Sequence, residues 1–261
     1  MNNSSGRPEV LVSIDIEATG RIPWPYSMIS LGAVAFTEAG EELSRFKINL
    51  KELPGSEREE YVMKWWGKQS PDAWRAATEN AIEPEQAMRE FRDWLRSLPG
   101  NPKLIGWPLM TDFMFVYWYY MTFFGEEPPF GYDGGYDTKT AAAITLGVRH
   151  IEVSRTMVRE RFGIVGREFT HDALDDALQQ AELFFVLKKG YNELRELQYL
   201  RFGMTAVGSL MILGGAWGFV SPFMNMGTNL FPPHWFGVSI TWGIFMVIAG
   251  WRGWFLKPKR K

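Results

Sequence analysis

The chain has 261 residues, of which 46% are hydrophobic and 22% charged, enough for one sizeable α/β domain plus an appendage. The formal net charge of −2 excludes a basic excess over the whole chain, so a nucleic acid would have to be held at a local site. The absence of cysteine excludes disulfides, thiolate metal sites and a cysteine nucleophile.

The first fifty residues predict a meander of three antiparallel strands. Residues 11–14 form an apolar run that ends at Asp15, residues 28–36 are apolar and β-prone, and residues 43–50 alternate. Short connections that contain glycine join the three segments. Residues 1–8 are predicted to be a polar tail without the apolar stretch of a signal peptide.

Helices dominate the pattern from about residue 57 to residue 202. The dipeptides Ser70-Pro71 and Glu83-Pro84 are typical helix starts, because proline fits the first helical position. Strands followed by helices and one or two further strands predict an α/β fold, with a mixed sheet flanked by helices. The other predicted elements are a short buried strand at 103–107, an aromatic helix over 111–124, a small-residue helix capped by Asp137, and a long helix over 172–202 with a break at Gly190.

The last sixty residues contain two apolar stretches, predicted as helices over 202–220 and 235–255 with a loop over 221–234. A bilayer core of ~30 Å needs about 20 helical residues, so both stretches are near spanning length. Lysine and arginine flank the two stretches and are absent from the loop, which predicts cytoplasmic termini. We therefore expect a transmembrane hairpin over 196–261, the alternative being a buried helical pair in a soluble fold.

Two carboxylates follow the first predicted strand. Asp15 and Glu17 are two residues apart, so alternation directs both side chains to one face. Neighbouring carboxylates repel each other unless they share a cation, so the spacing suits a hard divalent metal. Taken alone, such a pair is more often solvated surface. A third carboxylate, Asp112, begins the aromatic helix, where the alternative role is helix capping.

A histidine and an aspartate lie five residues apart in THDALDDALQQAEL. Five helical positions place two side chains about 140° apart, so His171 and Asp176 reach one site more easily if His171 precedes the helix or lies in its first turn. Thr170 or Asp172 as the helix cap would allow this. The alternative for a lone histidine is an incidental surface residue. The His-x4-Asp spacing selects Asp176 rather than Asp175.

The ordered set Asp-x-Glu, Asp, His-x4-Asp resembles the DEDDh exonucleases of the ribonuclease H-like superfamily over residues 8–190. WWGKQSPDAW at 65–74 and TDFMFVYWYY at 111–120 resemble a bacterial branch described as 3′–5′ exoribonucleases. The resemblance implies a domain over residues 9–195 with a mixed five-stranded sheet flanked by helices. It also implies hydrolysis of single-stranded RNA or DNA, or short oligonucleotides, to 5′-mononucleotides. Ser30 departs from the pattern, since many relatives carry a longer polar residue there.

The resemblance also implies a two-metal mechanism with His171 as the general base that takes a proton from the attacking water. The residues expected to hold two Mg²⁺ or Mn²⁺ ions are Asp15, Glu17, Asp112 and Asp176.

Five further residues are expected to contact the substrate. Thr19 and the backbone of Gly20 would touch the terminal nucleotide, since a residue without Cβ lets the chain pass closely. Trp65 and Trp66 could stack on unpaired bases, although adjacent tryptophans cannot face one way on a helix, so one belongs to the core. Gln69 could bond a base or a phosphate, or be an ordinary surface residue.

The expected partners are a nucleic acid, a lipid bilayer and a second copy of the chain bound through the membrane helices. An alternative from another class is a membrane effector or channel whose DEDDh domain senses or degrades a nucleotide signal. The hairpin ends loosely resemble the pore module of CorA-type magnesium channels, but the Gly-Met-Asn signature is absent. A third alternative is an inactive binding module, which the complete set of four carboxylates and histidine argues against.

Overall fold

The computed structural model describes residues 6–165, 170–220, 240–242 and 244–248. The chain divides into two compact units, Met1–Lys188 and Lys189–Lys261. The predicted domain boundary between residues 195 and 196 stays a prediction.

The centre of the first unit is a mixed sheet of five strands, as predicted from the sequence. The strands are β1 (Glu9–Ala18), β2 (Met28–Thr37), β3 (Glu42–Asn49), β4 (Asn101–Gly106) and β5 (Gly135–Asp137). Their order in the sheet is β3-β2-β1-β4-β5. The first three strands pair antiparallel as a meander, whereas β4 lies parallel to β1 and β5 parallel to β4.

Seven α-helices lie within residues 60–220, and two of them begin at the predicted dipeptides. Ser70 Oγ accepts a hydrogen bond from Ala73 N at 3.2 Å, and Asp137 Oδ1 accepts one from Thr140 N at 2.7 Å, so both predicted caps are present. The break predicted at Gly190 is wrong, because the last helix continues through it. The helices are α1 (Glu60–Trp66), α2 (Pro71–Thr78), α3 (Pro84–Ser97), α4 (Leu109–Phe124), α5 (Thr138–Leu146), α6 (Arg155–Phe162) and α7 (Ala173–Val220).

Alternation along β1 divides its side chains between the two faces of the sheet. Val10, Val12 and Ile14 belong to the larger apolar core, which α3 and α4 complete. Leu11 instead packs in a second cluster with Ala177 of α7. Residues of β1 that follow Leu11 in steps of two therefore point toward α7.

The first turns of α7 lie very close to the sheet. Ser13 Oγ donates a hydrogen bond to the Ala177 carbonyl oxygen at 2.7 Å. A Cβ added at Gly32 of β2 would lie 2.2 Å from the carbonyl carbon of Ala173. Only glycine at position 32 leaves room for this approach, which sets the depth at which the start of α7 rests on β1 and β2.

Within the described ranges, no helix combines the length and the apolarity needed to cross a membrane. The predicted two-span membrane localisation with cytoplasmic termini is therefore wrong. The predicted helix 202–220 is the last part of α7, which begins at Ala173. The predicted loop 221–234 and most of the predicted helix 235–255 lie outside the described residues. Three further predictions depended on the hairpin and have no support without it: the bilayer partner, the homo-oligomer and the channel function.

The approach of α7 to the sheet predicts that Gly32→Ala lowers the free energy of unfolding by about 1–3 kcal/mol. The new methyl group would meet backbone atoms of Ala173, which cannot swing away as a flexible side chain can. Urea unfolding of the two proteins measures the difference. The matched control is Gly67→Ala at the end of α1, where φ is −63° and the nearest atom is 3.5 Å away. The control should change stability by less than ~0.5 kcal/mol, and equal losses in the two variants would contradict the explanation.

Candidate active site

Four carboxyl groups meet at the carboxyl end of β1. Asp15 and Glu17 are the last acidic residues of that strand and point toward α7, whose first turn contains Asp176. The fourth group, Asp112, lies in the first turn of α4. Because β4 is parallel to β1, the helix that follows β4 begins at the same edge of the sheet. The backbone N–H of Ile16 donates to Asp112 Oδ1 at 3.1 Å, which ties α4 to the peptide between the two strand carboxylates.

The tightest group within the cluster consists of three residues. Glu17, His171 and Asp176 each offer one ligand atom, and these atoms lie within 4.8 Å of one another. His171 Nδ1 is 3.9 Å from Glu17 Oε1. Asp15 and Asp112 lie outside this three-residue group but interact with it electrostatically. The charge of Asp112 raises the pKa of Glu17, and the charges of Glu17 and Asp176 raise the pKa of Asp15. The structure thus brings together the five residues predicted for metal binding and proton transfer.

A turn before α7 places the histidine beside the helix rather than on it. His171 has φ of +55°, in the left-handed region that non-glycine residues adopt sparingly. Asp172 Oδ1 caps the helix by accepting from Leu174 N at 3.1 Å. The backbone N–H of Thr170 donates to Asp176 Oδ1 at 3.2 Å. His171 therefore precedes the helix while Asp176 lies inside it, and both side chains reach one site.

Burial and mutual repulsion make the charged form of these carboxyl groups unfavourable. Burial, followed by the charges of the other three carboxylates, raises the pKa of Asp15 well above its usual range. The pKa of Glu17 is also raised well above its usual range, with burial as the largest cause. Burial raises the pKa of Asp112 to about 7 and that of Asp176 to about 6. Such a cluster favours either protons or a cation.

One arginine offsets part of this negative charge. Arg155 of α6 is partly buried, and its pKa is lowered by burial while the nearby carboxylates raise it. Its Nη2 donates to the Trp107 carbonyl oxygen at 2.8 Å. Burial, and then the charge of Arg155, lowers the pKa of His171, so the imidazole is neutral near pH 7. No motif in the sequence marks Arg155, because it reaches the site only through the placement of α6.

A glutamine in α7 was also missed by the sequence analysis. Gln180 is buried, and its Nε2 donates to Asp15 Oδ1. The sequence did contain a signal, since Gln180 follows Asp176 by four residues and helical residues at that spacing share a face.

The two adjacent tryptophans occupy different environments. Trp65 is 37% exposed, and its ring lies edge-on to the His171 ring with centroids 4.8 Å apart. Trp66 is 5% exposed, and its Nε1 donates to the Ala18 carbonyl oxygen at 3.1 Å. Trp66 is therefore the core residue of the pair, and Trp65 is the one that faces the site. Gln69 is partly exposed and donates from Nε2 to the carbonyl oxygen of Trp65 at 3.2 Å.

Thr19 and Gly20 have structural roles within the loop that follows β1. Thr19 is buried, and its Oγ1 accepts a hydrogen bond from Ser27 N at 2.9 Å. A Cβ at Gly20 would lie 2.1 Å from Tyr26 Cγ, so the glycine is required by packing inside the protein. The nucleotide contacts expected of these two residues stay a prediction.

Comparison with known proteins gives one family and one well-covered relative. The family model of the 3′–5′ exoribonuclease Rv2179c-like domain matches residues 11–187. The chain is 31% identical over 198 residues to the 3′–5′ DNA exonuclease Cap18 of Escherichia coli, which covers 69% of this chain and 92% of that relative.

Solved structures of nucleases share the fold. The nuclease domain of 3′hExo, a DEDDh family member bound to rAMP, has a TM-score of 0.54 at 15% identity and covers 72% of this chain and 95% of that chain. E. coli exonuclease I in complex with a dT13 oligonucleotide has a TM-score of 0.55 at 11% identity. The match covers 74% of this chain and 44% of that chain. S. pombe Pop2p in its Mg²⁺- and Mn²⁺-bound form has a TM-score of 0.52 at 17% identity. The match covers 70% of this chain and 83% of that chain. The mixed sheet flanked by helices is thus the ribonuclease H-like nuclease fold, as predicted.

The raised carboxyl pKa values predict that the metal-free protein loses stability as the pH rises from about 4 to about 7. In this range the folded cluster binds more protons than the unfolded chain, so each deprotonation disfavours the folded state. Thermal unfolding in a chelating buffer at several pH values measures the loss. Asp112→Asn removes one titrating carboxyl and should show a smaller loss than the wild type. An equal pH dependence in the two proteins would contradict this account of the cluster.

Proposed function

The chain belongs to the Rv2179c-like 3′–5′ exoribonuclease domain family and is a 3′–5′ exonuclease; on that premise we propose that it uses two divalent cations to remove 5′-mononucleotides from single-stranded nucleic acid or short oligonucleotides. The observation that carries this proposal is the convergence of four carboxyl groups and one neutral histidine at the end of β1. These residues are Asp15, Glu17, Asp112, Asp176 and His171.

The donor set fits a pair of Mg²⁺ or Mn²⁺ ions. Carboxylate oxygens are the ligands that these hard cations prefer. Glu17 and Asp176 have oxygens close enough for one cation to contact both. Bound cations would also relieve the repulsion that raises the carboxyl pKa values. When bound, such a pair lowers the pKa of the attacking water and stabilises the leaving 3′ oxygen.

His171 has the properties required of the general base. Its lowered pKa leaves the imidazole neutral near pH 7 and able to accept a proton from water. The side chain is 27% exposed, so water can reach it, while Nδ1 stays 3.9 Å from Glu17 Oε1. The edge-on contact with Trp65 restricts rotation of the imidazole ring. We assign His171 to proton transfer and the four carboxylates to cation binding.

The substrate is proposed to be a strand with an unpaired 3′ end. Trp65 is the exposed aromatic ring beside His171, and base stacking on such a ring binds single strands without sequence preference. The matching family is described as an exoribonuclease, whereas the relative from E. coli is named a DNA exonuclease. Both single-stranded RNA and single-stranded DNA are therefore proposed substrates, and the assays below include both.

Asp15→Asn and Asp176→Asn should abolish release of mononucleotides, because each variant removes one negatively charged cation ligand without opening a cavity. His171→Ala should reduce kcat by about 10²–10⁴, the usual contribution of a general base. The assay follows 3′-to-5′ shortening of 5′-labelled RNA and DNA with Mn²⁺ or Mg²⁺. Asp93→Asn on α3, an exposed carboxylate, is the control and should retain wild-type activity. A folded wild-type protein that leaves every substrate unshortened with either metal would refute the proposed chemistry.

Trp65→Ala should raise KM for single strands by about 5- to 150-fold, equivalent to the loss of ~1–3 kcal/mol of base stacking. Steady-state kinetics on oligonucleotides measures the change, and kcat should fall less than the affinity. Tyr132→Ala, which removes a 72% exposed aromatic ring from the connection after α4, is the control. If the two variants have the same KM, Trp65 does not hold the substrate.

A further inference from the structure

Gln180 makes hydrogen bonds through both ends of its carboxamide. The side chain is 1% exposed. The backbone N–H of Trp107 donates to Gln180 Oε1 at 2.6 Å, and Gln180 Nε2 donates to Asp15 Oδ1. An N–H group can donate only to the oxygen end of an amide, so the Trp107 contact fixes the amide orientation. The NH₂ end of Gln180 is therefore held toward Asp15.

This contact determines how the Asp15 carboxylate is presented. Oδ1 is engaged by Gln180, so rotation of the carboxylate is restricted and Oδ2 is left as the oxygen for a cation. The donor is a neutral amide, which orients the carboxylate without cancelling its negative charge. A lysine or arginine in the same place would compete with a cation for Asp15.

The same amide connects Asp15 to the segment that leads into α4. Trp107 lies between the end of β4 and the start of α4, the helix that carries Asp112. Its N–H is held by Gln180, and its carbonyl oxygen accepts from Arg155 Nη2 at 2.8 Å. If Gln180 were displaced, Arg155 would still hold the Trp107 carbonyl oxygen, so the effect on the metal centre would fall on Asp15.

We infer that Gln180 is a positioning residue that orients the Asp15 carboxylate for cation binding, an inference that rests on the metal centre of the proposed function. Hydrogen bonds from a neighbouring residue to a metal ligand fix the geometry of that ligand. Their loss typically weakens metal affinity or activity by about 10- to 100-fold. Gln180 itself touches neither the substrate nor the cations in this scheme.

The test is Mn²⁺ binding to the full chain, measured by titration calorimetry and by the electron paramagnetic resonance signal of free Mn²⁺. Gln180→Met keeps the length of the side chain and removes the amide, and should raise the Kd for Mn²⁺ by about 10- to 100-fold. Gln180→Asn keeps an amide that is one methylene too short to reach both partners, and should raise the Kd as well. Leu95→Ala, in the buried core on the α3 side of the sheet, controls for lost stability and should leave the Kd unchanged.

A double-variant comparison separates positioning from a general structural effect. If Gln180 acts through Asp15, the combined variant Asp15→Asn with Gln180→Met should bind Mn²⁺ no more weakly than Asp15→Asn alone. An unchanged Kd for Mn²⁺ in a folded Gln180 variant would overturn the inference. Additive losses of Mn²⁺ affinity in the combined variant would overturn it as well. If Asp15→Asn itself binds Mn²⁺ like the wild type, the proposed metal centre fails instead.

Discussion

Repulsion among four carboxyl groups is the interaction that the rest of this structure has to oppose. The groups are held at the end of β1, where burial raises the pKa of Asp112 to about 7 and that of Asp176 to about 6. Without opposing contacts, like charges would separate or become exposed to solvent. The fold prevents this with contacts that do not involve the charges. Ser13 is bonded to the backbone of α7, and the absence of a side chain at Gly32 lets that helix lie against the sheet.

Cation binding would offset the free-energy cost of holding these carboxyl groups together in the folded protein. A set of buried carboxylates lowers stability when it is empty and gains free energy when a divalent cation binds. The neutral groups around the cluster are consistent with that use. Gln180 orients Asp15 through an uncharged amide, and the Ile16 peptide orients Asp112 through its N–H. Neither contact cancels the negative charge, which Arg155 offsets only in part, so the attraction for a cation is retained.

The parts of the site that depend on local periodicity were predictable from the sequence. Strand alternation indicated that Asp15 and Glu17 share a face. Helical geometry favoured a position of His171 before the helix of Asp176 or in its first turn, and the turn at φ +55° places it before the helix. Contacts made through tertiary packing were not predictable. Arg155 comes from a helix without a motif, and the packing of Tyr26 against Gly20 requires glycine at that position.

The C-terminal membrane prediction was wrong. The length of the apolar stretch 202–220 and the flanking charges favoured a membrane span, whereas no helix among the described residues is long and apolar enough to cross a membrane. The fold of the first unit was easier to predict, because its strands and caps each have a local signal, such as Ser70 before Pro71.

The central claim is that the carboxylate cluster binds a pair of catalytic cations, and anomalous diffraction from crystals soaked with Mn²⁺ and a short single-stranded oligonucleotide tests it most directly. The account predicts two Mn²⁺ peaks, ~3.5–4 Å apart, surrounded by oxygens of the four carboxylates, with a phosphate between them. His171 should lie beside the phosphate without replacing a carboxylate ligand. Mn²⁺ bound elsewhere, or an oligonucleotide phosphate bound away from the cluster, would contradict the account.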